Sequence, residues 1–310
     1  MLFLIGKKLW LISQVLIKMA RPPQILAIFL VSVLGSLVGV ASGSELSLKG
    51  SSIGFLALIL ISISIHFANE YADYETDERT RRTLFSGGSG ALPKSGLDRE
   101  FALVSAWVAL IIGAGLATYG LFNNLIPPIS IAILSLGAFF GWMYSLQPMA
   151  LAWKGWGELT NSTLGGILLP LFAFSMHTRT ISLEAFLAFT PFGMLVFNNL
   201  LATQWTDRKA DASVGKLSLA NLWPVKRLRL LHAFVATGAI LLSVILTENV
   251  LPPFVVLAGL ITVPLLIWSV LAYTHSISAF ASVAAMALFL LAQISAWLTI
   301  VYDIQILGSA

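Results

Sequence analysis

Asn69, Asp73 and Asp77 stand at steps of four in the segment Asn69-Glu70-Tyr71-Ala72-Asp73-Tyr74-Glu75-Thr76-Asp77, which follows directly on the apolar run from Ile53 to Phe67. A helix continuing out of that run stacks the three on one face, at the edge of the apolar stretch. Such a row of oxygen donors suits a hard cation. Asp207 and Asp211 repeat the spacing after a second apolar run, Phe192 to Leu201, and Gly215 and Lys216 follow. Each row leads into a basic loop, with Arg79, Arg81 and Arg82 after the first and Arg208, Lys209 and Lys216 at the second. Carboxylates alone repel a polyanion. Mg²⁺ reverses that, because the ion bridges carboxylate and phosphate oxygens while nearby Arg and Lys neutralise the remaining charge.

The elements that position these rows follow from composition. Of 310 residues, 58% are hydrophobic and 10% charged, and the mean hydropathy is +0.90. A soluble domain carries roughly 25% charged residues, so the chain is expected to be an integral membrane protein. Its long apolar stretches predict one domain over 1–310, an all-α multi-pass bundle around a central cavity, since only helices and closed barrels satisfy their backbone in lipid. Cysteine is absent, which excludes disulfides, thiolate metal sites and a cysteine nucleophile. Residues 1–20 mix apolar positions with Lys7, Lys8 and Lys18 and read as an amphipathic helix on the membrane surface.

Runs of about 20 apolar residues place roughly nine spans, near 23–42, 52–72, 100–121, 126–145, 158–176, 183–204, 229–247, 251–272 and 278–301. With that count, every Lys and Arg except Lys49 and Arg179 falls on the side of the N-terminus. The bias predicts a cytoplasmic N-terminus, with both acidic rows on the cytoplasmic side. A single polar loop rich in Asp and Arg is ordinarily just solvated. Two rows of equal spacing on one predicted membrane face argue against that, and leave a metal and polyanion site beside a rival reading, a cation-coupled transporter. Transporter acids more often lie near the midplane, at broken helices.

The residues also carry a resemblance. The chain resembles the UbiA superfamily of intramembrane prenyltransferases, marked by an Asn-x-x-x-Asp-x-x-x-Asp row on the second helix and an Asp-x-x-x-Asp row after the sixth. Asn69, Asp73 and Asp77 match the first; Asp207 and Asp211, with Gly215 and Lys216, match the second. Arg21-Pro22, Arg82 with Ser86-Gly87, and Tyr144-Ser145, Pro148, Lys154, Gly157 and Glu158 follow the family's pattern in order. Departures are Glu70 for a second Asp, Thr83 for Pro, Thr203 for Asn before Asp207, and Ser218 for Thr. Asn199 is preferred over Thr203 as support for the second row.

The resemblance implies Mg²⁺-dependent transfer of a polyprenyl group from its diphosphate to an acceptor, usually aromatic. Asp73, Asp77, Asp207 and Asp211, with Asn69, would hold the metal; Arg82, Tyr144, Lys154, Asn199, Lys209 and Lys216 would bind substrate. Among acceptors, the Asn-Glu-Tyr-x-Asp-Tyr-Glu row and the Asn198-Asn199 pair look most like the enzymes that prenylate 1,4-dihydroxy-2-naphthoate in menaquinone synthesis. 4-Hydroxybenzoate, homogentisate and glyceryl-phosphate lipids are the alternatives. The expected partners are therefore polyprenyl diphosphate, the aromatic acceptor and the bilayer, and no nucleic acid. Phe67, Tyr71, Tyr74 and Tyr144 are candidates to face an allylic cation, although most aromatic residues in such a chain pack the core or anchor interfaces. The run Ser86-Gly87-Gly88-Ser89-Gly90 suits either a phosphate-binding lid or a plain loop. His66 and the Gly113, Gly115, Gly165 and Gly166 set are expected to pack.

Overall fold

The computed structural model describes residues 2–79 and 88–308. Its helices are α1 (Leu2–Met19), α2 (Pro22–Ala41), α3 (Leu48–Ala72), α4 (Tyr74–Arg79), α5 (Ala91–Ser95), α6 (Glu100–Phe122), α7 (Pro128–Ser145), α8 (Gly157–Thr163), α9 (Leu169–Thr178), α10 (Leu183–Ser213), α11 (Leu219–Leu222), α12 (Val225–Ile245), α13 (Pro253–Leu260), α14 (Val263–Ala272) and α15 (Phe280–Gly308). Among the described residues, eight segments are long and apolar enough to cross a membrane. A ninth crossing is made if α13 and α14, bent by 43° at their break, count as one. The chain is thus a helical membrane bundle.

Three spans differ from the sequence expectation in ways that bear on the acids. The span expected at 183–204 runs on as α10 to Ser213, so Asp207 and Asp211 ride the last turns of a membrane helix instead of following it. The helix expected to carry all of the first row ends at Ala72, with Asp73 as its C-cap, and α4 restarts at Tyr74. Asp73 N still donates to Asn69 O and Asp77 N to Asp73 O, both at 2.8 Å, so the four-residue step survives the break. The span expected at 158–176 contains a π-helical turn, Leu164–Leu168, between α8 and α9.

Packing relies on small residues where backbones must meet. The main neighbours are α3 with α6, α2 with α9 and α15, and α10 with α12. A Cβ on Gly35 would lie 2.2 Å from the Pro170 carbonyl oxygen, and one on Gly166 would lie 2.4 Å from Gly193 Cα. Only glycine permits these approaches, the usual device for packing helices in lipid, where no hydrophobic force drives them together. Gly113 sits against Ile61 and Ala57 in the same way, whereas a Cβ on Gly115 would meet nothing within 4 Å. The core between these helices is aliphatic and phenyl, including Leu34, Phe172, Phe189 and Phe289. Outward faces carry exposed Trp107, Ile111, Phe234, Ile245 and Leu271, which is the arrangement lipid favours. Helix α1 buries Val15 and Met19 beside Phe67 and Leu92 and exposes Lys7 and Lys8 together with Leu9 and Trp10.

Candidate active site

The end of α3 is fastened to the chain just ahead of α2. Arg21, in a left-handed backbone conformation with φ 55°, donates from Nη2 to Asn69 Oδ1 at 2.8 Å and to Glu70 Oε1 at 2.7 Å, and from Nε to Glu70 Oε1 at 3.2 Å. Because its oxygen is engaged by Arg21, Asn69 turns its amide nitrogen inward. Nδ2 donates to Asp73 Oδ2 at 2.8 Å and to Ser145 Oγ at 3.0 Å. As placed, Asn69 orients Asp73 and does not offer its oxygen to a metal, unlike the role the family pattern implies. Glu70, only 2% exposed, also accepts from Ser89 N at 3.1 Å and Ser89 Oγ at 2.6 Å. The described part of the glycine-rich loop therefore closes over the first row. Gly88, with φ +62°, comes so near that a Cβ would sit 1.7 Å from Asp77 Oδ2.

The second row meets the first through Lys216. Its Nζ donates to Asp73 Oδ2 at 3.0 Å and lies 3.8 Å from Asp211 Oδ1. The backbone beneath Lys216 is held from both sides. Lys216 N donates to Asp211 O, Leu217 N to Trp153 O, and Gly155 N to Leu217 O, while Asn221 Nδ2 donates to Lys216 O. Glu158, 1% exposed, secures the chain three residues further on by accepting from Leu219 N at 2.7 Å. Trp153 lies under the ammonium at 5.7 Å, so it belongs to the site and is not only an interfacial anchor. Tyr144 is within electrostatic reach of Lys216, Asp73 and Asp211.

Among the described residues, Arg21 and Lys216 are the cations that act on the first acidic row. Burial, then Glu70 and Asp73, push Asp77 up to about 7, against the pull of Arg21 and Lys216. Burial alone would lower Lys216, but Asp73 and Asp211 hold it above the ordinary lysine value. Asp73 Oδ1 and Asp77 Oδ2 are buried with no hydrogen-bond donor among the described residues. Carboxylate oxygens left without donors fit Mg²⁺. Among the described residues no three His, Asp or Glu side chains converge into a ready-made metal group, and the Lys216 ammonium lies between Asp73 and Asp211.

Other expected residues are engaged differently. Lys154 Nζ is exposed and donates to Pro148 O at 2.8 Å, and Lys209 is exposed. Arg82 lies outside the described residues. Asn199 Oδ1 is buried without a donor, whereas Thr203 Oγ1 donates to Leu200 O of its own helix. Phe67, Tyr71 and Tyr74 pack with α1 and α5, leaving Tyr144 as the aromatic candidate beside the acids. His66 Nδ1 hydrogen-bonds Ala20 O at 2.8 Å, a packing role. Sequence reasoning overlooked Arg21 and Glu70 as site residues. Arg21-Pro22 was visible as a span opening, but nothing in the spacing joins residues 48 and 49 positions apart. A groove of about 290 Å³ between α12 and α14, lined by residues such as Ile240 and Leu266, is apolar and includes none of the acids.

Comparison with known proteins agrees with this architecture. The family whose sequence model matches, over residues 29–301, is described as the UbiA prenyltransferase family. A 1,4-dihydroxy-2-naphthoate octaprenyltransferase from Bacillus subtilis (strain 168) is 26% identical over 219 residues, which cover 68% of this chain and 66% of that protein. The match thus spans just under two thirds of the relative's length. A UbiA homolog from Archaeoglobus fulgidus bound to GPP and Mg²⁺ superposes with a TM-score of 0.66 at 15% identity, covering 93% of this chain and 99% of that one. A structure described for digeranylgeranylglyceryl phosphate synthase gives the same TM-score at 16% identity, with 93% and 99% covered. At these identities the two structures show the shared fold.

Proposed function

This chain belongs to the UbiA prenyltransferase family, and from that premise we propose that it transfers a polyprenyl group from its diphosphate to an aromatic acceptor, 1,4-dihydroxy-2-naphthoate, at the cytoplasmic face of a membrane. The observation that carries the reading is the meeting of two acidic rows, 134 residues apart from Asp77 to Asp211, around one lysine. Asp73, Asp77, Asp207 and Asp211 would hold Mg²⁺, which would supply Lewis-acid stabilisation to a departing diphosphate.

The remaining work falls to the chain. Arg21 and Asn69 fix the Asp73 carboxylate, so that its charge is already aimed before substrate arrives. Lys216, on a backbone pinned to Asp211 and Trp153, reaches the oxygens of the diphosphate. As the allylic C–O bond breaks, its electron pair leaves with diphosphate; a ring carbon of the acceptor bonds to the allylic carbon and then gives up the group it carried, a proton or a carboxyl group lost as CO2, so that the ring regains its aromaticity. Tyr144 faces the developing cation, and the helices around it keep water away. The isoprenoid tail, as apolar as lipid, enters sideways between helices. Support for the acceptor comes from the name of the Bacillus subtilis relative, and for the donor class from the GPP and Mg²⁺ of the Archaeoglobus fulgidus homolog. The concentration of Lys and Arg on one side supports the orientation.

Purified protein in detergent, given labelled polyprenyl diphosphate, Mg²⁺ and a panel of phenolic acceptors, is expected to release pyrophosphate and yield the prenylated naphthoate. Asp73→Ala and Asp211→Ala are each expected to lower turnover by at least about a hundredfold, since each removes charge that holds the metal. Full turnover in both variants sinks the assignment. Preference for another acceptor in the panel corrects the naphthoate alone.

A further inference from the structure

We infer that Lys216 is a charge placeholder: it occupies the space between the acidic rows while no donor is bound, and so makes metal binding depend on the arrival of diphosphate. The inference rests on the prenyl-diphosphate reading of the site. The Lys216 ammonium touches Asp73 of one row at 3.0 Å and lies 3.8 Å from Asp211 of the other. Its side chain is 15% exposed, so it is committed to the interior. Asp73 Oδ2 is shared by Asn69 and Lys216, whereas Asp73 Oδ1 has no donor among the described residues. A divalent ion placed against the same carboxylates would meet the ammonium at contact distance and be repelled by it.

Only the side chain needs to move for the site to open. Lys216 N and O are both hydrogen-bonded, to Asp211 O and from Asn221 Nδ2, and Leu217 forms a bridge with Lys154 across the neighbouring loop. The lysine stem has four rotatable carbons and carries a compact point charge. Once a diphosphate adds its negative charge, the ammonium can leave Asp73 for a phosphate oxygen, and the vacated carboxylates can take the metal that accompanies the donor. The two acid rows are therefore kept from repelling one another in the empty enzyme, and an enzyme without donor does not hold metal tightly.

The idea predicts effects of opposite sign, which a purely structural lysine would not give. Binding of Mn²⁺ to the purified full chain is measured by the electron paramagnetic resonance of the free ion, with and without inorganic pyrophosphate. Without pyrophosphate, Lys216→Met is expected to tighten Mn²⁺ binding about tenfold, or about 1.4 kcal/mol. With pyrophosphate, the same variant is expected to weaken it by a similar factor. Lys216→Arg, which keeps the charge, stays near the wild type without pyrophosphate. Lys216→Gln, which retains a donor to Asp73, replaces the methionine variant if that one does not fold. Unchanged or weaker Mn²⁺ binding without pyrophosphate in the neutral variants overturns the placeholder. Loss of the underlying metal site is read separately: Mn²⁺ binding that persists in Asp73→Asn and Asp211→Asn, in both conditions, removes the reading on which the placeholder stands.

Discussion

Asn69 has an amide whose two ends are claimed from opposite sides, the oxygen by Arg21 and the nitrogen by Asp73 and Ser145. That arrangement explains why a residue at the first step of a metal-like row can serve the row without ligating. Its orientation depends on Arg21, which also neutralises Glu70, a carboxylate with side-chain exposure of 1%. Removing one partner of such a pair strands a buried charge, at a cost of about 3 kcal/mol. Arg21→Met is therefore expected to lower the thermal midpoint in detergent markedly, and Arg21→Met with Glu70→Gln to recover part of the loss. Equal destabilisation by the single and double variants would show that the pair carries no such coupling. The acids at Asp73, Asp77, Asp207 and Asp211 were legible from spacing, as was Lys216 from its place after the second row. Arg21 was not, because its partner lies 49 positions away and only the fold sets that separation to a bond length.

Helices α8, α9 and α10 bring the second row and its supports into place. Glu158, near the start of α8, ties down Leu219, and the π-helical turn that follows carries Gly166 onto Gly193 of α10. A side chain at Gly166 would strike Gly193 backbone, which has no rotamer to yield, so the helices must part. Gly166→Leu is expected to cost at least about 1–3 kcal/mol by overpacking and to depress activity with it. Gly115→Ala, where a Cβ meets nothing within 4 Å, is expected to be neutral. Thermal unfolding of both variants, read beside turnover, checks the contrast. The apolar runs marked the existence of these helices, while their ends followed rules that hydropathy does not see. Helix α10 continues nine residues beyond the expected 204 because its last turns bury Trp205 and Asp211 against neighbours, and hydropathy falls where packing does not.

Among the described residues, the cations divide unequally between the two ends of the bundle, with Lys49 and Arg179 at the end opposite the acidic rows. The absence of native cysteine makes topology directly measurable by single cysteines. In intact right-side-out vesicles, Leu46→Cys and Arg179→Cys are expected to react with an impermeant thiol reagent. Asp98→Cys is expected to react only after permeabilisation. The reverse pattern would place the acids on the outer face. By itself the sequence determined the solvent, the helical class, the approximate number of crossings and the two acid rows, because each is written in local composition or in a period of four. Only the tertiary structure decided that Lys216 stands between the rows, that Arg21 and Glu70 brace Asn69, and that Lys154 and Lys209 are exposed. Those facts depend on which helix ends approach one another in three dimensions, and short-range spacing holds no record of that.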